Sequence, residues 1–324
     1  MDLLLILFGF GVGVLVGTTG MGGGSLMTPL LILLFGIKPV VAVGTDLAYA
    51  AITKTVGGWR HLRQGTVDTP LSLWLAAGSC PGALLGVAIL EWLDLTDILL
   101  VLVAASLLLT GALVLLRALV WAGAGERDYL KLTRKHKIVA VVLGFTVGVC
   151  LGITSAGSGT LIAIGLILAF RLSPRRVVGT DVAHAALLLW VAAFAHIIGG
   201  NVDFALAGTI LIGSIPGVWV GSSLATRLPE RGLRPALGIV LLSSGMALLG
   251  KAGLEIPAPV LIAVPLVLVA VSFLALRNRS HGPGDSRPGQ QHPPPVTGAV
   301  DGSGAGASPS HSSTHKPQPA PAEV

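Results

Sequence analysis

Sliding residues 9–86 along by 135 positions, without a gap, lays this chain on itself, and 33 of the 78 aligned pairs are identical. Chance gives only a few such pairs, so the chain is two copies of one unit, and any fold proposed for it has to be built twice. The matched pairs include Gly9/Gly144, Gly17/Gly152, Gly22/Gly157, Gly24/Gly159, Pro39/Pro174, Thr45-Asp46/Thr180-Asp181, His61/His196, Asp68/Asp203, Pro81/Pro216 and Gly82/Gly217. Both copies are apolar and both are interrupted at the same Gly-rich place. A duplicated apolar unit broken twice in corresponding positions points to a secondary transporter with its site between the copies.

Composition excludes an ordinary soluble domain. Hydrophobic residues make up 53% of the chain and charged residues 11%, with a mean hydropathy of +0.85, whereas soluble domains carry about 25% charged residues. The expected fold is an all-α integral membrane protein. Runs at 71–90, 98–116 and 260–276 approach bilayer-spanning length, and they are continuous rather than alternating, which excludes barrel strands. The net charge of +6 does not imply nucleic acid, because Lys and Arg fall in short clusters between apolar runs and in the tail. Cys80 and Cys150 lie within apolar segments and suggest neither a disulfide framework nor a metal site. No cofactor is expected. The first residues, 2–7, lack a basic region and a small-residue cleavage pattern, and the segment they open recurs in the second copy, so they are read as mature structure.

Helical segments are expected at 3–19, 25–36, 40–58, 70–91 and 97–121, then at 138–153, 159–170, 176–198, 203–225 and 232–250, with an unduplicated last helix at 257–276. This divides the chain into a first repeat (1–121), a basic linker (122–137), a second repeat (138–256), the extra helix (257–276) and a Pro/Gly/Ser-rich tail (277–324) expected to be disordered. Basic clusters at Arg127–Lys137, Arg227–Arg234 and Arg277–Arg279 predict cytoplasmic faces, and with them a plasma-membrane protein whose C-terminal tail is cytoplasmic. Arg60 and Arg63 put the loop of the first copy inside, whereas the matching loop, 199–203, lacks Lys and Arg. Equivalent loops on opposite sides predict two inverted repeats. Segments 25–36 and 159–170 are short for a full crossing and are expected to be re-entrant or broken helices.

Two constellations are candidates for chemistry. The first is Gly20-Met21-Gly22-Gly23-Gly24-Ser25 with its counterpart Ser155-Ala156-Gly157-Ser158-Gly159-Thr160. Each stands where one apolar segment stops and a short helix begins, leaving uncommitted backbone N–H groups and a positive dipole end for an anion, with hydroxyl donors beside them. The bland reading is that these glycines only allow close helix packing, as Gly9, Gly13 and Gly17 do at a spacing of four. The second is Thr45-Asp46 and Thr180-Asp181, carboxylates inside apolar helices that need a partner or a role such as carrying a coupling proton. Three residues on, Tyr49 and His184 are equivalent and are candidates to line a cavity. Lys54 is the most singular charge, deep in the third segment opposite Leu189, and either snorkels towards Arg60 or faces a cavity and attracts an anion. His61 and His196 read as loop anchors.

The run Gly17–Ser25 followed by Gly44-Thr45-Asp46, repeated at 152–160 and 179–181, together with Pro81-Gly82 and Pro216-Gly217, resembles the signature of the TauE/SafE family of sulfite exporters and sulfonate permeases. The resemblance covers residues 3–250 and implies passage of small, often sulfur-containing anions such as sulfite, thiosulfate or sulfoacetate. Copy two departs from the Gly-rich pattern at Ser155 and Ser158. The expected function is therefore anion transport by alternating access between inverted halves, with the bilayer and a small anion as partners, protons as the candidate coupling ion, and homo-oligomerisation left open. The alternatives are an anion channel and an intramembrane enzyme built on His184, Asp181 or Cys150, for which no zinc or nucleotide motif is present.

Overall fold

A computed structural model describes residues 3–19, 24–120, 132–225, 230–254, 257, 259–260 and 263–270. Among them run α1 (Leu3–Thr19), α2 (Gly24–Leu34), α3 (Pro39–Arg63), α4 (Thr69–Trp92), α5 (Thr96–Val120), α6 (Arg134–Thr154), α7 (Ser158–Phe170), α8 (Pro174–Ile198), α9 (Phe204–Ala225) and α10 (Glu230–Lys251), with no strand. Of the extra helix expected at 257–276, residues 263–270 are helical and the rest lies almost wholly outside the described residues, as does the tail.

Local sequence explains the boundaries. Pro39 and Pro174 open α3 and α8 at a position where a missing N–H costs nothing. Asp68 caps α4 by accepting from the Leu71 N–H at 3.1 Å, and its counterpart Asp203 accepts from the Leu206 N–H at 2.9 Å. Two boundaries differ from the sequence expectation. Thr133 and His136 form a reciprocal cap, so α6 starts at Arg134 and takes in Arg134, Lys135 and Lys137 of the stretch read as linker, whose Arg127 and Lys131 lie outside the described residues. α3 continues to Arg63, whose guanidinium lies 4.0 Å from the Trp59 ring centre, so Arg60 and Arg63 occupy a last helical turn and not a loop.

The two copies are interlocked by exchanging partners. α1 packs on α9 and α6 packs on α4, while α3 packs on α8 and α5 on α10, so each copy's first helix lies against the other copy's fourth. Glycines allow the approach. A methyl group on Gly78, Gly82 or Gly86 of α4 would collide with the carbonyl oxygens of Val141, Phe145 or Val149 of α6, and in α9 the equivalent Gly213, Gly217 and Gly221 meet Ile6, Phe10 and Val14 of α1. The Gly-Thr-Asp motifs are exchanged in the same way. Thr180 Oγ1 accepts the Asp68 N–H at 2.9 Å, and Thr45 Oγ1 accepts the Asp203 N–H at 3.0 Å.

α3 and α8 lie at the centre. Residues 42–51 of α3 are buried without interruption, including Thr45, Asp46 and Tyr49. The surrounding helices expose large apolar side chains such as Leu3, Leu7, Val142, Ile215 and Trp219, an outer face suited to lipid rather than water. Among the described residues, five helices are long and apolar enough to cross a membrane, in α4, α5, α6, α8 and α9.

Candidate functional site

The site forms where α6 stops and α7 begins. Ser155, the C-cap of α6, takes a left-handed conformation with φ of 60°, and Gly157 follows with φ of 92°. The N-cap residue of α7 is thus a glycine, which supplies no side-chain cap of its own.

Asp46 of the first copy reaches into this break of the second. Its Oδ2 accepts hydrogen bonds from Ser155 Oγ at 2.5 Å and Thr28 Oγ1 at 2.7 Å, and the two hydroxyls lie 3.4 Å apart. Asp46 and Thr28 are wholly buried, and among the described residues Asp46 Oδ1 has no hydrogen-bond partner. Burying a carboxylate is costly unless it is bonded, and the two hydroxyls offset that cost on one oxygen only.

Asp181, its counterpart, approaches the same break from α8. A Cβ on Gly159 would lie 3.3 Å from Asp181 Oδ2. Lys54 Nζ stands 4.0 Å from that oxygen, and both side chains are about nine-tenths buried. Lys54 therefore takes the inward course of its two expected ones, crossing from α3 to the carboxylate of the other copy. His184 Nε2 is 2.8 Å from Ser79 Oγ of α4. At the equivalent place the Tyr49 hydroxyl lies near Ser214 without closing a well-formed hydrogen bond. Thr110 of α5 points at Gly157, where a Cβ would come within 2.8 Å of its Oγ1.

Of the residues singled out from sequence, Asp46, Lys54, Ser155, Gly157, Gly159 and Asp181 come together around the second break, and Thr160 is buried in the first turn of α7. Thr45 and Thr180 are engaged by backbone of the opposite copy, a tie between repeats. Gly20, Gly22 and Gly23 lie outside the described residues. Gly24 starts α2 and Ser158 starts α7, and the side chains of Ser25 and Ser158 are outside the description as well. His196 is fully buried, with Nε2 donating to the Gly152 carbonyl at 2.9 Å, and so anchors to a helix rather than a loop. Sequence reasoning missed Thr28, Ser79 and Thr110. Only Ser79 carried a signal, being identical to Ser214 in the duplication, whereas Thr28 aligns with Ala163.

Five helices of spanning length, interlocked copies and charges buried between the helices are the marks of a helical membrane protein. The chain belongs to the Sulfite exporter TauE/SafE family, whose model matches residues 5–248. It is 40% identical over 261 residues to the probable membrane transporter protein YjnA of Bacillus subtilis, a match covering 77% of this chain and 100% of that one. It is 30% identical over 247 residues to the probable membrane transporter protein YdhB of the same organism, covering 76% of this chain and 100% of the relative. No solved structure matches significantly. Family and relatives make this chain a membrane transporter.

Proposed function

We propose that the protein carries small anions, in particular sulfur-containing oxyanions or organosulfonates of the sulfite, thiosulfate and sulfoacetate class, by alternating access between two inverted repeats. The observation that carries this reading is the convergence of both copies on one helix break, with Asp46 bonded to Ser155, Asp181 beside Gly159, and Lys54 against Asp181. Secondary transporters built from repeats place their sites at the interface of the repeats, on discontinuous helices. The family's description as sulfite exporters supports the substrate class. The anion is held by the N-terminal N–H groups of α7 and α2, by the hydroxyls of Ser25, Ser158 and Thr160, and by Lys54; Gly20, Gly22, Gly23, Gly24, Gly157 and Gly159 let it approach the backbone. Asp46 or Asp181 takes up the coupling proton, and Tyr49 and His184 line the path. In the membrane the basic linker and the tail from 277 face the cytoplasm.

The test is uptake of labelled sulfite and thiosulfate into vesicles carrying the purified full chain, against protein-free vesicles, over a range of pH. Saturable uptake of either anion supports the reading. Uptake that does not vary with pH contradicts proton coupling, and flux linear in concentration to high values replaces the carrier with a channel.

A further inference from the structure

Hydroxyls buried in helices ordinarily bond the carbonyl three or four residues back. The chain follows this habit at Thr154, which donates to Cys150 at 2.7 Å, at Thr209, which donates to Ala205 at 2.8 Å, and in α5 itself at Ser106, which donates to Val103 at 2.8 Å. Thr110, one turn beyond Ser106 in that same helix, does not. It is 1% exposed, and among the described residues its Oγ1 has no hydrogen-bond partner. That orphaned oxygen is directed at Gly157, the N-cap of a 13-residue helix and a residue with no side chain to cap it with.

We propose that the Thr110 hydroxyl is the side-chain donor that, with the first N–H groups of α7, holds the transported oxyanion. Three observations meet in this place. The helix end supplies N–H donors and the positive end of a dipole. The hydroxyl rotates freely and can donate to whichever oxygen the ligand offers. Gly157 lets the hydroxyl lie directly beside the helix end, since a Cβ at 157 would come within 2.8 Å of Thr110 Oγ1. Its φ of 92° is one that few other residues adopt. Of the two carboxylates at this break, Asp181 at Gly159 is faced by Lys54 at 4.0 Å, and Asp46 has one oxygen bonded by the Ser155 and Thr28 hydroxyls. Backbone N–H groups and a hydroxyl converging on one place suit a compact anion with several acceptor oxygens around one atom. The inference rests on the anion-transport reading and adds a residue from a helix outside the matched Gly-rich motifs.

The experiment compares wild type with Thr110→Val, which keeps the shape and removes the hydroxyl, Thr110→Ser, which restores it, and Thr110→Ala, which serves where valine does not fold. Uptake of labelled sulfite and thiosulfate gives KM and maximal rate, and the melting temperature of the detergent-solubilised full chain with sulfite, thiosulfate or inorganic sulfate as probe gives binding. Loss of a hydrogen bond to a charged ligand is expected to raise KM about tenfold or more in Thr110→Val. The same variant loses the stabilisation by anion, and Thr110→Ser stays within about twofold of wild type on this account. A wild type that is neither a carrier of these anions nor stabilised by them overturns both the anion reading and this inference. A wild type that carries or binds them, with Thr110→Val or Thr110→Ala doing so equally well, overturns the Thr110 assignment alone. Equal loss in Thr110→Val and Thr110→Ser also overturns it, since it marks a packing role.

Discussion

Lys54 and Asp181 form the charge pair that crosses between the copies, and the structure sets what removing either should cost. At 4.0 Å, with both side chains about nine-tenths buried, two unit charges attract by about 4 kcal/mol at the effective dielectric that suits such sites. Removing one partner takes this counter-charge from the other buried group, which costs about 3–5 kcal/mol, whereas removing both is close to neutral. Lys54→Leu copies the residue at the equivalent position, Leu189, and Asp181→Asn keeps the shape and hydrogen-bonding capacity of the carboxylate. For a protein of this size about 1 kcal/mol corresponds to about 2 °C in melting temperature, so each single variant should melt about 6–10 °C lower in detergent. The double variant should lose much less than the sum, with a coupling of at least about 2 kcal/mol between the two positions. Strictly additive losses, or a Lys54→Leu protein as stable as wild type, would refute the claim that the pair is buried and mutually dependent.

Ser155→Ala and Thr28→Val should each cost about 1.5–3 kcal/mol, because each strips a charge-assisted bond from Asp46, and their combination should fall short of the sum because both serve the same oxygen; denaturation in detergent checks both. Gly82→Val and Gly217→Val should cost at least about 1–3 kcal/mol and reduce the monodisperse fraction on size exclusion, since a side chain there meets backbone of the opposing helix. Gly208→Ala, where a Cβ meets nothing within 4 Å, is the control and should elute like wild type. Thr45→Val and Thr180→Val should each cost about 1–3 kcal/mol by leaving the N–H of Asp203 or Asp68 without its acceptor, and should add because they serve separate contacts.

The helices were legible because apolar runs end at strong punctuation: Pro39 and Pro174 start two of them, Asp68 and Asp203 cap two more, and the Gly-rich breaks separate the short helices from their neighbours. The exchange of partners was not legible. Gly78, Gly82 and Gly86 have the spacing of a packing face, yet nothing along the chain says that their partner is α6 and not a helix of their own copy. Duplicated residues mostly build the scaffold, as the Thr45 and Thr180 ties do, while the hydroxyls that bond Asp46 come from positions where the copies differ. Thr28 stands opposite Ala163 and Ser155 opposite Gly20. Symmetry in the sequence therefore marked the duplicated scaffold, and departures from symmetry supply the hydroxyls bonded to Asp46. The partner of Lys54 was hidden for the same reason, since its equivalent is a leucine and the pair has no symmetric twin.

Counterflow reads out anion transport through the paired breaks. Vesicles carrying the purified chain are loaded with unlabelled sulfite or thiosulfate and offered the labelled anion outside. The account predicts saturable uptake accelerated by the internal anion, and its loss in a folded Gly159→Leu protein, where the new side chain would run into Asp181. Labelled anion entering no faster than in protein-free vesicles, or entering equally well through Gly159→Leu, would contradict it.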